Sequence, residues 1–140
     1  MQEVVERDFR RSEAQLDRLL AEAAPALTEA SIQWADSSVR SYAQKESYLS
    51  WRHTFEREWQ RDLLIYQVRV WLTCSQPVHV GDVPVVSILR RAEVFRAGQP
   101  SSVDSRVESH MPLSGLAQAS LFAVIINEIQ LGTSLIDVVP

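Results

Sequence analysis

Apolar and polar residues alternate most cleanly between Asp62 and Cys74. In DLLIYQVRVWLTC, Leu64, Tyr66, Val68, Val70, Leu72 and Cys74 fall on one side of an extended strand, and Ile65, Gln67, Arg69, Trp71 and Thr73 on the other. The first side is continuous apolar surface and belongs in a core. The second carries an amide, a guanidinium and an indole, so it reads as half exposed, lining a groove or meeting a partner.

Ahead of this strand the spacing lengthens to three and four. Val5, Phe9, Leu16, Leu19, Leu20 and Ala23 recur with acids and arginines between them, which predicts an amphipathic helix from about Gln2 to Ala23, ended by Pro25. Thr28 or Ser31 caps a second helix, in which Ile32, Ala35, Val39, Tyr42, Ala43 and Glu46 share a face. Tyr48, Trp51, Phe55 and Trp59 share a face rotated from that one, so the pattern expects a break near Ser47 to Ser50 and a further helix packed on the sheet.

Beyond the central strand, Pro77, Gly81, Asp82 and Pro84 predict a turn-rich connection over Ser75 to Pro84. Val85 to Arg96 reads as a second strand and Ser102 to Met111 as a third. Joined by short polar turns, these strands make an antiparallel meander. Ser114 is the expected N-cap and Gly132 the expected terminator of a last helix, which is apolar around nearly its whole circumference and hence buried by further layers or a second subunit. The tail from 133 to 140 is read as an edge strand or a segment crossing a partner. The expected architecture is one α+β domain over 1–140: helices over 1–61, a three- to four-stranded antiparallel sheet over 62–111, and a buried C-terminal helix over 114–131 packed on it.

Composition narrows the function classes. The 140 residues carry 14 basic and 18 acidic side chains for a net charge of −4, spread rather than blocked, which argues against nucleic-acid binding. A chain of this length buries about two thirds of its unfolded surface, enough for one core. Lys45 is the only lysine, and Cys74 the only cysteine, so no internal disulfide forms and a reducing, cytoplasmic setting is expected. The charged N-terminus lacks the apolar core of a signal peptide, and the longest apolar run, Ala119 to Ile126, falls short of a membrane span. A soluble protein is expected.

No constellation assembles a recognised chemistry. His53 and Glu56, with Glu58 and Asp62 nearby, lack the Glu-x-x-His order and repetition of a di-iron site, so they read as an exposed polar face. His79 and Asp82 sit in the proline-bounded connection without a third member. Asp104, Arg106, Glu108 and His110 share one strand face, where opposite charges pair across strands. Arg69, Arg90, Arg91 and Arg96 could gather on the sheet around an anion, with pairing to Glu93, Asp104 and Glu108 preferred. Cys74 reads as an inert core thiol, and neither a nucleophile elbow nor a glycine-rich phosphate loop is present.

The sequence therefore points to a non-catalytic protein–protein interaction or assembly subunit, without cofactor or metal, acting on a protein partner or as a homo-oligomer. Arg69, Trp71, Phe122, Ile125 and Ile129 are its expected interface residues, since tryptophan and arginine dominate interface hot spots. The alternative is a small-molecule-binding cone whose pocket is lined by Trp51, Trp59, Tyr66, Asp104 and His110, with modest acid/base chemistry.

Overall fold

The computed structural model describes residues 2–30, 34, 37–47, 50–74, 83–118 and 121–140, the side chains at 2, 3, 5, 40–47, 50–52, 117 and 118 excepted. One long helix, α1 (Gln2–Ala30), leads into five strands, β1 (Ser38–Ser47), β2 (Ser50–Arg61), β3 (Leu64–Cys74), β4 (Val85–Arg96) and β5 (Val103–Pro112), followed by α2 (Leu113–Gln118) and α3 (Leu121–Ile136). The sheet order is β1-β2-β3-β4-β5, antiparallel throughout. This is the α+β meander the alternation implied, with more strands than it disclosed. No described helix is long and apolar enough to cross a membrane.

β3 has the two sides its sequence announced. Tyr66, Val68, Val70 and Leu72 are fully buried, and α1 and α3 lie over them. Phe9, Leu16 and Leu20 of α1 meet Leu121, Ile125 and Ile129 of α3 above Val70, Leu72 and Ile88. A second cluster continues the core under the end of α3, with Trp59 stacked on Tyr66 at 5.4 Å between ring centroids and Ile136 above Val68 and Val94. Both long helices cover the same side of the sheet.

Four expectations are corrected. The helical reading of the stretch up to residue 61 gives way, from Ser38 onward, to the strands β1 and β2. Trp51, Phe55 and Trp59 are spaced by four, which keeps side chains on one face at a period of 2.0 as well as 3.6, so the spacing did not separate the two. The intervening His53 and Arg57 also point inward and disguise the alternation. Pro25 does not end α1, which runs to Ala30; proline costs the helix the bond to the carbonyl of Ala21, and both residues lie on its exposed side, where a lost bond is least costly.

Gly132 does not end the last helix either. That segment is α2 and α3, and α3 continues to Ile136, so the tail after residue 132 is helix and turn rather than an edge strand. A Cβ at Gly132 would lie 2.6 Å from Val68 Cγ1, so glycine here sets how closely α3 approaches the sheet. Finally, the central strand starts at Leu64: Asp62 and Leu63 form a two-residue turn, with Asp62 at φ 55, a left-handed conformation aspartate tolerates.

Candidate functional site

Most of the described side chains on the side of the sheet away from α1 and α3 come from four strands. Thr54, Glu56, Glu58 and Gln60 of β2 share it with Ile65, Gln67, Arg69, Trp71 and Thr73 of β3. Val85, Ser87, Leu89, Arg91, Glu93 and Phe95 of β4 and Asp104, Arg106, Glu108 and His110 of β5 complete it. Between β3 and β4 two apolar cross-strand pairs stand on this face, Trp71 opposite Leu89 and Ile65 opposite Phe95, and all four residues are half-buried.

Between the two pairs runs a polar band. Gln67 donates from Nε2 to Glu56 Oε1 at 3.1 Å and to Glu58 Oε1 at 3.2 Å, while its own Oε1 accepts from Arg69 Nε at 2.9 Å and from the same guanidinium's Nη2. Arg69 also lies 3.9 Å from Glu56 Oε2, and its guanidinium sits 5.7 Å from the Trp71 ring centroid. Arg91 forms a bidentate pair with Asp104, Nε to Oδ1 and Nη2 to Oδ2, both at 3.0 Å, and touches Glu93 as well. Ser101 donates to Glu93 Oε2 at 3.2 Å.

These contacts set the charge states. The hydrogen bonds from Arg91 hold the Asp104 carboxyl below the usual carboxylate range, and the same pairing raises the Arg91 guanidinium. Arg91 and Asp104 thus form a matched pair of opposite charges on this face. On the helix side, Arg90 pairs with Glu128 of α3 at 3.0 Å.

Of the residues singled out from the sequence, Arg69 and Trp71 lie at the centre of this face. Phe122 is half-buried on α3, whereas Ile125 and Ile129 are 0% and 2% exposed in the core. α3 turns those isoleucines onto the sheet of its own chain, so they are packing residues and not an interface. The alternative pocket set does not converge. Trp59 and Tyr66 stack on the helix side, Asp104 and His110 stand on the opposite side, and the side chain of Trp51 lies outside the described residues.

His53 and Glu56 are likewise on opposite faces, because β2 is a strand; His53 Nε2 meets Asp17 of α1 at 2.8 Å, while Glu56 is buried beside Gln67. His79 and Asp82 lie outside the described residues. Among the described residues no group of three or more metal-ligating side chains converges. Leu89 and Phe95 escaped notice as partners of Trp71 and Ile65, although their positions opposite β3 follow once the two strands are paired in register. Glu56 and Glu58, read from the sequence as part of an exposed polar face, instead accept from Gln67, and Glu56 is buried.

Cys74 is buried, and burial, reinforced by Glu13 and Asp17, pushes its thiol up to about 12. The thiol form therefore persists at neutral and mildly alkaline pH. Native protein at pH 8 is expected to resist a disulfide-exchange reagent such as dithionitrobenzoate for hours and to release one equivalent when unfolded in guanidinium. Prompt reaction of the native protein would contradict this placement.

Comparison with family models, with curated proteins and with solved structures gives no match for this chain.

Proposed function

We propose that this protein is a non-catalytic assembly subunit that works by protein–protein contact, with the face of the sheet opposite the helices as the surface it presents. The observation that carries the reading is the pair of half-buried apolar contacts, Trp71 with Leu89 and Ile65 with Phe95, on a face that neither long helix covers. They are six residues apart along β3, about 20 Å at the rise of a strand. That span matches a partner element laid along the sheet, with its apolar residues at both ends and its polar residues over the Arg69 and Arg91 band. Tryptophan beside arginine, in a desolvated centre with a matched charged surround, is the usual make-up of a hot spot.

The test is co-purification of the tagged protein from its source, comparing the wild type with Trp71→Ala and Leu89→Asp. A partner present in near-equal amount with the wild type is expected to be lost, or reduced at least about tenfold, with either variant, while both keep the wild-type circular dichroism spectrum. A stoichiometric partner retained by both variants would remove this face from the assembly. A wild type that carries no protein partner and does not self-associate would remove the assembly reading itself.

A further inference from the structure

β5 ends the sheet order on one side, and the described elements that lie against it are β4 and α2. Every residue from Arg106 to His110 is exposed, and Val107, on the helix side, is 44% exposed. Gly132 of α3 abuts Val68 and Arg90, and Thr133 accepts from Arg57 of β2. At 100° per residue Leu131 and Leu135 then fall on the opposite flank of α3, toward β5. They are 46% and 48% exposed, so three of the six exposed large apolar side chains among the described residues gather along one edge.

An edge strand of ten residues is a template for pairing unless something blunts it, and the only proline of β5 is its last residue, Pro112. Its charges alternate in sign along the strand, Asp104, Arg106, Glu108, and the imidazole of His110 follows. Read in reverse, that order is complementary to itself. We propose that two copies of this chain dimerise by antiparallel pairing of their β5 edges about a two-fold axis through Val107. This rests on the assembly reading and names one partner, along the β5 edge that borders the Trp71 face.

The register is specific. With Val107 opposite Val107 of the second copy, Arg106 faces Glu108, Asp104 faces His110, Ser105 faces Ser109 and Val103 faces Met111. Both sides of the sheet continue across the seam, with Arg106 against Glu108 and the Asp104 carboxylate within reach of the His110 imidazole on one face, and small or apolar residues on the other. A slip of two residues preserves the faces but sets Arg106 opposite Arg106, or Glu108 opposite Glu108. The backbone phase agrees. Leu113 donates to Pro84 O at 3.0 Å and the β4–β5 register is unbroken, so odd-numbered residues bond to β4 and the amides and carbonyls of Asp104, Arg106, Glu108 and His110 point to the open edge. Val107 and its counterpart form the close, non-hydrogen-bonded type of pair, and the two Leu131/Leu135 flanks face each other above it.

Sedimentation of the purified full chain at micromolar concentration tests this. The wild type is expected at twice 15.9 kDa, and Arg106→Glu and Glu108→Arg, each of which places like charges opposite one another twice, are expected to weaken the dimer about tenfold to a hundredfold. The double variant Arg106→Glu with Glu108→Arg restores opposite charges and is expected to restore the dimer. Val107→Cys supplies an independent reading: the central Cα separation of about 4.5 Å suits a disulfide, so mild oxidation is expected to yield a covalent dimer while buried Cys74 stays out of it. A monomeric wild type, or single variants as dimeric as the wild type, would overturn the pairing. Loss of the partner through Trp71 would be unaffected in that event.

Discussion

Replacing Gly132 by valine is expected to lower the melting temperature by about 10 °C, and replacing it by alanine by about half as much. An exposed glycine inside a helix would give the opposite sign, because alanine gains about 1 kcal/mol of helix propensity over glycine. Here the first added atom already lies 2.6 Å from Val68 Cγ1, 3.3 Å from Val68 Cγ2 and 3.4 Å from Arg90 Cδ. Val68 is fully buried and stiff about χ1, and it sits between Trp59, Tyr66, Ala92 and Val94, so it has little room to withdraw. Overpacking of this kind costs about 1 to 3 kcal/mol or somewhat more, and valine brings two further methyl groups with little propensity gain. At about 3 to 4 °C per kcal/mol for a chain of this size, the expected shifts follow. Thermal unfolding of the two variants checks the sign, and the pair Gly132→Ala with Val68→Ala checks the cause. If the contact is responsible, the double variant is less destabilised than the sum of the single ones. A rise in melting temperature for Gly132→Ala alone would show that α3 is free to lift from the sheet.

The same glycine marks where sequence reasoning stopped short. Its place after a long apolar run is what a terminating glycine looks like, and only the packing of α3 on Val68 distinguishes a close-approach glycine from a cap. The alternation in β3 and β4 was legible because both sides are chemically distinct, so Leu64–Cys74 and Val85–Arg96 emerge with their faces and nearly their ends. β5 also emerged, but its role as a largely exposed edge did not, since a pattern of Val103, Val107 and Met111 against charged residues does not disclose whether anything covers the valines. β1 and β2 were lost for a different reason. β1 is SVRSYAQKES, with few β-branched or apolar residues, and its pairing with β2 supplies what its own preferences do not. In β2 the residues on the helix side from His53 to Arg61 read His, Phe, Arg, Trp, Arg, and a hydrophobic pattern counts the arginines as solvent-facing.

Loss of the central cation of that series is expected to be among the most damaging single changes in the protein, with Arg57→Ala lowering stability by about 3 kcal/mol and the melting temperature by about 10 °C. Arg57 is 8% exposed, with its guanidinium carbon 4.4 Å from the Trp59 ring centroid and 5.2 Å from that of Trp34. Its Nε donates to Ser37 Oγ at 2.9 Å and its Nη1 to Thr133 Oγ1 at 3.1 Å; that hydroxyl in turn donates to Ile129 O at 2.7 Å. One planar group thus ties the connection between α1 and β1 to β2 and to α3. Removing it forfeits two cation–π contacts of about 1 kcal/mol each, the packing of its aliphatic stem, and donors to two hydroxyls. Lysine keeps the charge but cannot stack flat while reaching both hydroxyls, so Arg57→Lys is expected to lose roughly half as much. Methionine separates charge from volume. If the buried cation is a net cost that packing merely tolerates, Arg57→Met will be as stable as the wild type or more so, as replacement of buried ionic groups by apolar ones has been in other proteins. If the stacking and hydrogen bonds outweigh desolvation, Arg57→Met will fall between lysine and alanine. The second order is expected, because the guanidinium is weakly hydrated and meets aromatic faces together with oriented hydroxyls. Thermal unfolding of the three variants, with the near-ultraviolet dichroism of the tryptophans as a local reporter, decides between them; an alanine variant within about 2 °C of the wild type would show that Arg57 is a passenger in the core rather than its clamp.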